Sequence, residues 1–494
     1  MKINLLDVLD YFRNQMQNQI TIIKDLFKQF KGVEASSIEK IPQSGSDRNY
    51  YKIYLNTEVF IGTFSENIKE NNAFIYCSNH FKDYNLNTPK VLMVNEGKTA
   101  YIQEYVGTEN LLERLEKQRY SNEVFELYQQ SLKKLAAIQI NGDKNFDYNI
   151  CITAKEFGEQ AILSDLLYFK YYFLYTLQFP YDKQQLIKDF ETLASFLNNT
   201  EHKYFMFRDF QSRNILIKNE KVFFIDYQGG MKGALQYDVA SLLWQAKAEL
   251  SNEWKNDLLN YYINEVEQLL NKQLNKKEFI NGYNGYVLIR LLQVLGAYGF
   301  RGLFERKAHF LSSIPLALNN LKYFLNNYTI GLITPELDKV LHFLVSEKTI
   351  KKFTPTKANE ATKLKISINS FSYKKGLPND ESNHGGGFVF DMRGILNPGR
   401  KDEYKTLTGR DKPVMDYLEQ ETLMNRYLNS VWDLIDINVE DYLKRGFESL
   451  QINFGCTGGQ HRSVYAAEQT ARHLRNKYNL RIELNHLNKE NWLK

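Results

Sequence analysis

Two short apolar runs, residues 204–207 and 222–225, bracket a polar loop, and this pattern constrains the 494-residue chain more than any other. The loop reads Arg208-Asp209-Phe210-Gln211-Ser212-Arg213-Asn214 and runs into Ile215-Leu216-Ile217. Asp226 follows directly on the second apolar run. A carboxylate and an amide in one tight loop, with a second carboxylate at the end of a short strand, suit phosphoryl transfer. One carboxylate orients the attacking hydroxyl and takes its proton, while the amide and the other carboxylate hold Mg on the phosphates. The bland alternative is that Asp209 and Asn214 cap turns, as Asp and Asn often do. Asp226 at the end of an apolar run, and Asp238 at the start of a helical run beyond it, favour the catalytic reading.

Around this segment the chain divides. Helical spacing predicts a helix over residues 1–40, and alternation predicts strands over 50–64 and 99–106, with a turn at Asn56-Thr57. Residues 110–200 and the stretch up to about 330 read as mostly helical. Residues 346–363 are polar and charged and predict a linker between domains 1–345 and 364–494. A strand-like run at 364–371 opens the last part, and strand, glycine loop and helix follow over 449–478. No fixed-period repeat is evident.

Composition sets limits. Hydrophobic residues at 43% are enough for packed cores. A net charge of +5 suits phosphate-bearing ligands and is too mild to argue for nucleic acid by itself. Cys77, Cys151 and Cys456 form no CxxC pair, which argues against a disulfide framework or a structural zinc site. Asp7 and Asp10 interrupt the start where a signal peptide needs an apolar run. The apolar stretch 286–304 contains Arg290, Gln293 and Arg301 and reads as a core helix. The expectation is a cytoplasmic protein with no membrane partner.

The loop with Asp209 and Asn214, and Asp226 after it, resemble the catalytic loop and metal carboxylate of the aminoglycoside phosphotransferase/choline kinase family. The resemblance extends over about residues 15–330. Ser44-Gly45-Ser46-Asp47-Arg48 resembles the nucleotide loop of that family's cell-wall amino-sugar kinase branch. Gln103-Glu104-Tyr105 falls where the hinge to adenine would lie. Residues 237–243, 290–301 and Ile314-Pro315 look like the same branch. The resemblance implies an α+β bilobal protein-kinase-like domain, with a small β-rich lobe and a helical lobe. It also implies ATP, with GTP as the alternative, together with Mg. The acceptor it implies is the anomeric hydroxyl of an N-acetylated amino sugar, in peptidoglycan recycling. Asp209 would be the catalytic base, Asn214 and Asp226 the metal ligands, and Gln211 and Arg213 candidate sugar contacts. Ser44, Gly45, Ser46, Asp47, Arg48, Gln103 and Tyr105 would bind nucleotide. Two departures stand out. Phe207 occupies the position of the family's usual His, and residues 59–64 contain no Lys to pair with the phosphates. Arg48 or Lys52 would then supply the charge.

A second constellation lies in Gly455-Cys456-Thr457-Gly458-Gly459-Gln460-His461-Arg462-Ser463, between a buried strand (450–454) and an amphipathic helix (464–478). Converging backbone N–H groups at a helix N-terminus favour an anion, and Arg462 can grip phosphate with two N–H groups. The spacing Cys-x5-Arg-Ser also fits a cysteine phosphatase loop. Residues 364–494 resemble the C-terminal domain of the RNase adapter protein RapZ. The resemblance rests on residues 370–378, Phe390-Asp391-Met392-Arg393, Asn397-Pro398, Leu407-Thr408-Gly409 and the 455–463 loop. It implies a smaller α/β domain that senses glucosamine-6-phosphate and binds small RNA. Lys374, Arg393, Cys456, Thr457, Gly458, Gly459, Gln460, His461, Arg462 and Ser463 would surround a sugar phosphate. The P-loop half of that family has no counterpart here, which weakens the RNA expectation. The combined expectation is a sugar kinase fused to a sugar-phosphate-binding domain. The rivals are an RNA-binding regulator with a degenerate kinase half, an aminoglycoside-modifying enzyme and a phosphatase at Cys456.

Overall fold

The structure, a computed structural model, describes residues 5–41, 48–200, 203–305, 308–380 and 387–492, the side chains of 5–17 and 308–309 excepted. The chain forms two compact units, Met1–Phe300 with Leu316–Ser346, and Arg301–Pro315 with Glu347–Lys494.

The first unit begins with helix α1 (Leu5–Lys31). An antiparallel sheet follows, made of β1 (Ser37–Ile41), β2 (Asn49–Leu55), β3 (Glu58–Phe64), β4 (Val91–Val94) and β5 (Ala100–Glu104), in the order β1-β2-β3-β5-β4. Helix α2 (Ile68–Asp83) lies between β3 and β4 in the chain. The pleat sorts the side chains by alternation. Tyr51, Ile53, Phe60, Ala100 and Ile102 pack with Ile23, Leu26 and Phe27 of α1. Opposite neighbours in register, Tyr50–Thr63–Tyr101 and Lys52–Ile61–Gln103, share the other face. On that face Tyr101 stacks on Phe74 of α2, ring centroids 5.1 Å apart.

The helical part follows. It contains α3 (Leu111–Gln118), α4 (Asn122–Gly142), α5 (Glu159–Tyr172), α6 (Lys183–Asn198), β6 (Lys203–Met206), β7 (Ile215–Lys218), β8 (Lys221–Phe224), β9 (Met231–Ala234), α7 (Leu235–Leu243), α8 (Asn252–Leu270) and α9 (Lys276–Tyr298). Helix α5 packs on α9 and α4 on α8. β7 and β8 form a hairpin, and β6 pairs with β9. Met206 pairs with Met231 and Ile215 with Phe224, so the two small ladders open at the same end and set the loop with Asp209 and Asn214 beside the turn with Asp226. Helix α9 is apolar on most of its surface, as a helix surrounded by protein should be, and it runs into a π-helical turn, Gly299–Phe304. Among the described residues this is the one segment long and apolar enough to cross a membrane, and 56% of its apolar window is buried within the protein. Short helices α10 (Ala308–Leu311), α11 (Ile314–Asn327), α12 (Pro335–Leu344) and α13 (Glu347–Phe353) complete the middle of the chain.

The second unit is built on parallel strands β10 (Lys365–Ser372), β11 (Phe388–Asp391), β12 (Ser449–Cys456) and β13 (Arg481–His486), in the order β11-β12-β10-β13. Helices α14 (Lys412–Gln420), α15 (Met424–Arg445) and α16 (Arg462–Tyr478) accompany them. Ile366, Ile368, Ile452 and Phe454 form the core with Val431, Ile435, Ala467 and Leu474. A ladder of side-chain amides crosses the sheet: Asn369 donates to Asn453 (2.8 Å) and Asn485 to Asn369 (3.2 Å). Each satisfies a neighbour that would otherwise be a costly buried polar group.

Several expectations need correction. The helix expected over 1–40 stops at Lys31, where Gly32 takes φ +73°, and β1 starts at Ser37. Edge strands β1 and β4, and β9, β11 and β13, were not expected. The stretch 346–363, expected as a linker, contains α13, buries Thr349, and sends the Ala358 N–H to the Tyr478 carbonyl (2.7 Å). Polar composition hid a segment whose few apolar groups are docked in the second unit. Residues 301–315 also group with that unit, outside the expected domain boundary.

Candidate functional site

The loop after β6 is anchored from below. The Phe207 and Arg208 N–H groups donate to the two oxygens of Asp238, at 2.7 and 3.0 Å. Asp238 lies fully buried in the first turn of α7 and also accepts from the Gln139 amide (3.1 Å). Burial pushes its carboxyl up to about 7 against the pull of these donors. Arg208 takes φ +78°, and its guanidinium reaches Asp165 (2.7 Å) and the Tyr237 hydroxyl (2.6 Å). Phe207 packs edge-on against Phe210 and Phe224. An aromatic ring thus fills the place of the usual His, and the Asp238 bonds to the backbone hold the loop.

This anchoring brings Asp209, Asn214 and Asp226 together. The Asn214 amide nitrogen lies 2.9 Å from the Asp209 carbonyl, 3.3 Å from the Asp209 carboxylate and 3.4 Å from the Asp226 carboxylate. Asp226 takes φ +69° at the turn after β8. Burial, and then the neighbouring Asp209 charge, raise its carboxyl above the ordinary range. Gln211 and Arg213, expected as sugar contacts, both donate to the Asp209 carboxylate, Arg213 at 3.1 Å. The donors that Asp226 and Asn214 offer are oxygens, a carboxylate and an amide carbonyl, which is what a hard cation such as Mg takes. A cation there would relieve the repulsion that lifts Asp226. Among the described residues no three His, Cys, Asp or Glu side chains cluster as a metal site; the Asn214 amide is the second donor here beside Asp226.

Of the expected nucleotide residues, Ser44, Gly45, Ser46 and Asp47 lie outside the described residues. Arg48 is 2% exposed and pairs with Glu70 of α2 at 3.1 Å. Gln103 is buried at the end of β5, and its carbonyl oxygen has no partner among the described residues. Tyr105 follows; its carbonyl accepts from Lys218 (2.7 Å). Gly107 has φ +99°, and a Cβ there would lie 2.5 Å from the Ile217 carbonyl, so only glycine lets this connection pass over β7. Glu70, Gln228, Gln139 and the anchoring role of Asp238 were missed. Glu70 reads as an ordinary helix-start carboxylate, and it does accept from the Asn67 side-chain amide (3.3 Å) as one. No local signal separates the two roles.

In the second unit, Cys456 ends β12 and Arg462 begins α16. The Cys456 sulfur accepts the Gly459 N–H (3.2 Å) and lies 3.1 Å from the Ser463 hydroxyl. Gly459 takes φ +67° and sends its carbonyl to the Trp492 indole (2.8 Å). Arg462 is 5% exposed; one terminal nitrogen donates to the carbonyls of Arg393 (3.1 Å) and Ile395 (2.7 Å), and its Nε has no partner. His461 bonds the Tyr404 carbonyl (2.8 Å), and burial lowers its pKa, which keeps the ring neutral near neutral pH. The Gln460 amide holds the carbonyls of Lys405 and Leu407. These side chains surround a cavity of about 220 Å³ lined by Cys456, Thr457, Gly458, Gln460, His461 and Arg462. Asn397, Gly399 and Lys405 line it too and were not expected there. Lys374 is exposed and does not line it. The Arg393 side chain stacks on Tyr373 and pairs with Asp391 (2.7 Å), outside the lining.

A two-lobed unit with a carboxylate–amide cluster between short strands, followed by a parallel α/β unit with a strand, glycine loop and helix, is a kinase-type fold joined to a smaller α/β domain. Comparison with known proteins gives the families. Residues 37–270 match the phosphotransferase enzyme family and residues 364–490 match the RapZ C-terminal domain, so the chain carries a domain of each. A nucleotide-binding protein of Xylella fastidiosa is 43% identical over 115 residues, 23% of this chain and 38% of that protein. Another from Shewanella halifaxensis is 26% identical over 221 residues, 44% of this chain and 66% of its own length. The chain therefore spans well under half of the Xylella relative. A solved choline kinase of Cryptosporidium parvum aligns at 14% identity and a TM-score of 0.46, covering 66% of this chain and 99% of its own.

Proposed function

We propose that this protein is an ATP- and Mg-dependent phosphotransferase acting on a sugar hydroxyl, the anomeric one of an N-acetylated amino sugar. Its C-terminal domain binds a phosphorylated sugar. The observation that carries the reading is Asn214 reaching both Asp209 and Asp226 across one cleft. Asp209 would orient the acceptor hydroxyl and accept its proton, held in place by Asn214 and Arg213. Asp226 and Asn214 would hold Mg, which when bound neutralises charge on the phosphates. The end of β5, from Gln103 to Tyr105, would take the base, and GTP is the alternative nucleotide. The cytoplasm, and peptidoglycan recycling, are the setting this reading implies.

For the second unit we propose binding rather than hydrolysis. Arg462 Nε and the helix N-terminus supply positive potential to the cavity. No carboxylic acid is among its described lining residues to protonate a leaving group. Regulation of the kinase by the bound sugar phosphate, or RNA binding, would build on this site.

The test is ATP consumption by the full chain against a panel of free sugars, with Asp209→Asn as control. Turnover on an amino sugar that disappears in the variant is the expected result. Absence of turnover on every sugar would favour a degenerate kinase half that serves the RapZ-type domain.

A further inference from the structure

The strand expected to carry a phosphate-pairing lysine has none. At the cleft face β3 presents Ile61 and Thr63, and Thr63 is fully buried. Transferases that work on ATP need a cation on the phosphates, usually a lysine fixed by a helix glutamate. We propose that Arg48, at the start of β2, is that cation, and that Glu70 and Gln228 tie it to Asp226. This assignment rests on the kinase reading above.

Three observations support it. Arg48 is almost completely enclosed, yet charged. Its guanidinium pairs with Glu70 at 3.1 Å and lies over the Phe74 ring at 5.3 Å, so two residues one helical turn apart on α2 fix its plane. Burying an arginine in this way is expensive, and the pair then needs a reason beyond stability. The second observation is connectivity. The Gln228 amide donates to Glu70 at 3.2 Å and to Asp226 at 2.9 Å. One side chain thus joins the partner of the arginine to the carboxylate assigned to the metal. The Gln228 carbonyl oxygen is buried without a partner, beside Asp226. A cation on the phosphates and a metal on the same phosphates must be placed together, and this chain of three contacts sets their spacing.

The third observation concerns the competitor. Lys52 lies on the same face of the sheet, two pairs further along β2. Its ammonium is 5.9 Å from the centre of the Tyr105 ring, beyond the end of β5. That is the end assigned to the base. Among the described residues Lys52 makes no hydrogen bond or ion pair with Glu70, Gln228 or Asp226.

Binding of ADP and of adenosine to the full chain, by calorimetry in Mg, separates these roles. Arg48→Met should weaken ADP by about tenfold or more, the scale of one lost charge-assisted phosphate contact, and leave adenosine within about twofold. Arg48→Lys should fall between, because it keeps the charge and loses the planar fork. Adenosine binding reports that each variant is folded, and Arg48→Lys decides the matter where Arg48→Met does not fold. ADP affinity unchanged in both Arg48 variants would overturn the assignment, as would a loss of ADP affinity on Lys52→Met alone. A wild-type chain that binds neither ligand would instead remove the nucleotide reading on which the assignment stands.

Discussion

The two sites gather charge by opposite routes. In the first unit, acidic groups from separate elements are gathered: Asp209 from a loop, Asp226 from a strand end nearby in the chain, and Glu70, joined through Gln228, from a distant helix start. In the second unit, the groups suited to an anion sit almost entirely in one loop, from Cys456 to Ser463. The first arrangement is frustrated without a cation, as the raised carboxyl of Asp226 shows. The second has an arginine nitrogen buried without an acceptor. Each site is thus short of a charge of the opposite sign, and that shortage is what a bound ligand would remedy.

The largest expected effect would break the first half of this contrast. Asp209→Asn should lower turnover by ~10³-fold, within the range for loss of a positioned base, while ADP affinity changes little. A variant that keeps near-wild-type turnover would mean that Asp209 is a cap and no base.

Next in size is the support beneath the loop. Asp238→Ala strands the Phe207 and Arg208 N–H groups in a buried setting and should cost about 2–4 kcal/mol, read by denaturant unfolding. The C-terminal unit has no part in this anchor, so phosphate binding there should survive at temperatures where the variant's first unit is still folded.

The second site is tested by inorganic phosphate or glucosamine-6-phosphate. Arg462→Lys should weaken either by about tenfold, because the lysine cannot both hold the Arg393 and Ile395 carbonyls and face the cavity. Cys456→Ser should leave the affinity within about threefold. A phosphatase would instead lose all activity in Cys456→Ser, and measurable hydrolysis by the wild type would decide for it.

The smallest effect is in pH. Asp226 holds its proton more tightly than a free carboxyl because of burial and of Asp209. Mn binding should therefore fall on the acid side at a higher pH than an ordinary Asp would allow. In Asp209→Asn the repulsion is gone, the Asp226 pKa drops, and the midpoint should move to lower pH. The check is a Mn titration across pH in both proteins; a midpoint that stays in place would mean that burial alone sets it.

The sequence by itself determined the order of the parts. Asp209, Asn214 and Asp226 lie within 18 residues on strand ends, so short-range geometry forces them near one another. The loop from Cys456 to Ser463 is contiguous between a strand and a helix, and its anion character follows from that alone. The resemblances to the phosphotransferase and RapZ C-terminal families were legible for the same reason: they rest on local motifs. What only the tertiary structure decided is which distant side chains complete each site. Glu70 looks like a helix cap, Gln228 like a turn residue, and Lys405 and Asn397 like solvent-facing loop residues. They acquire their roles because α2 packs on the sheet face and because the 393–407 segment folds over the start of α16. Packing of this kind depends on the summed burial of many side chains across the core, and no local pattern carries that sum.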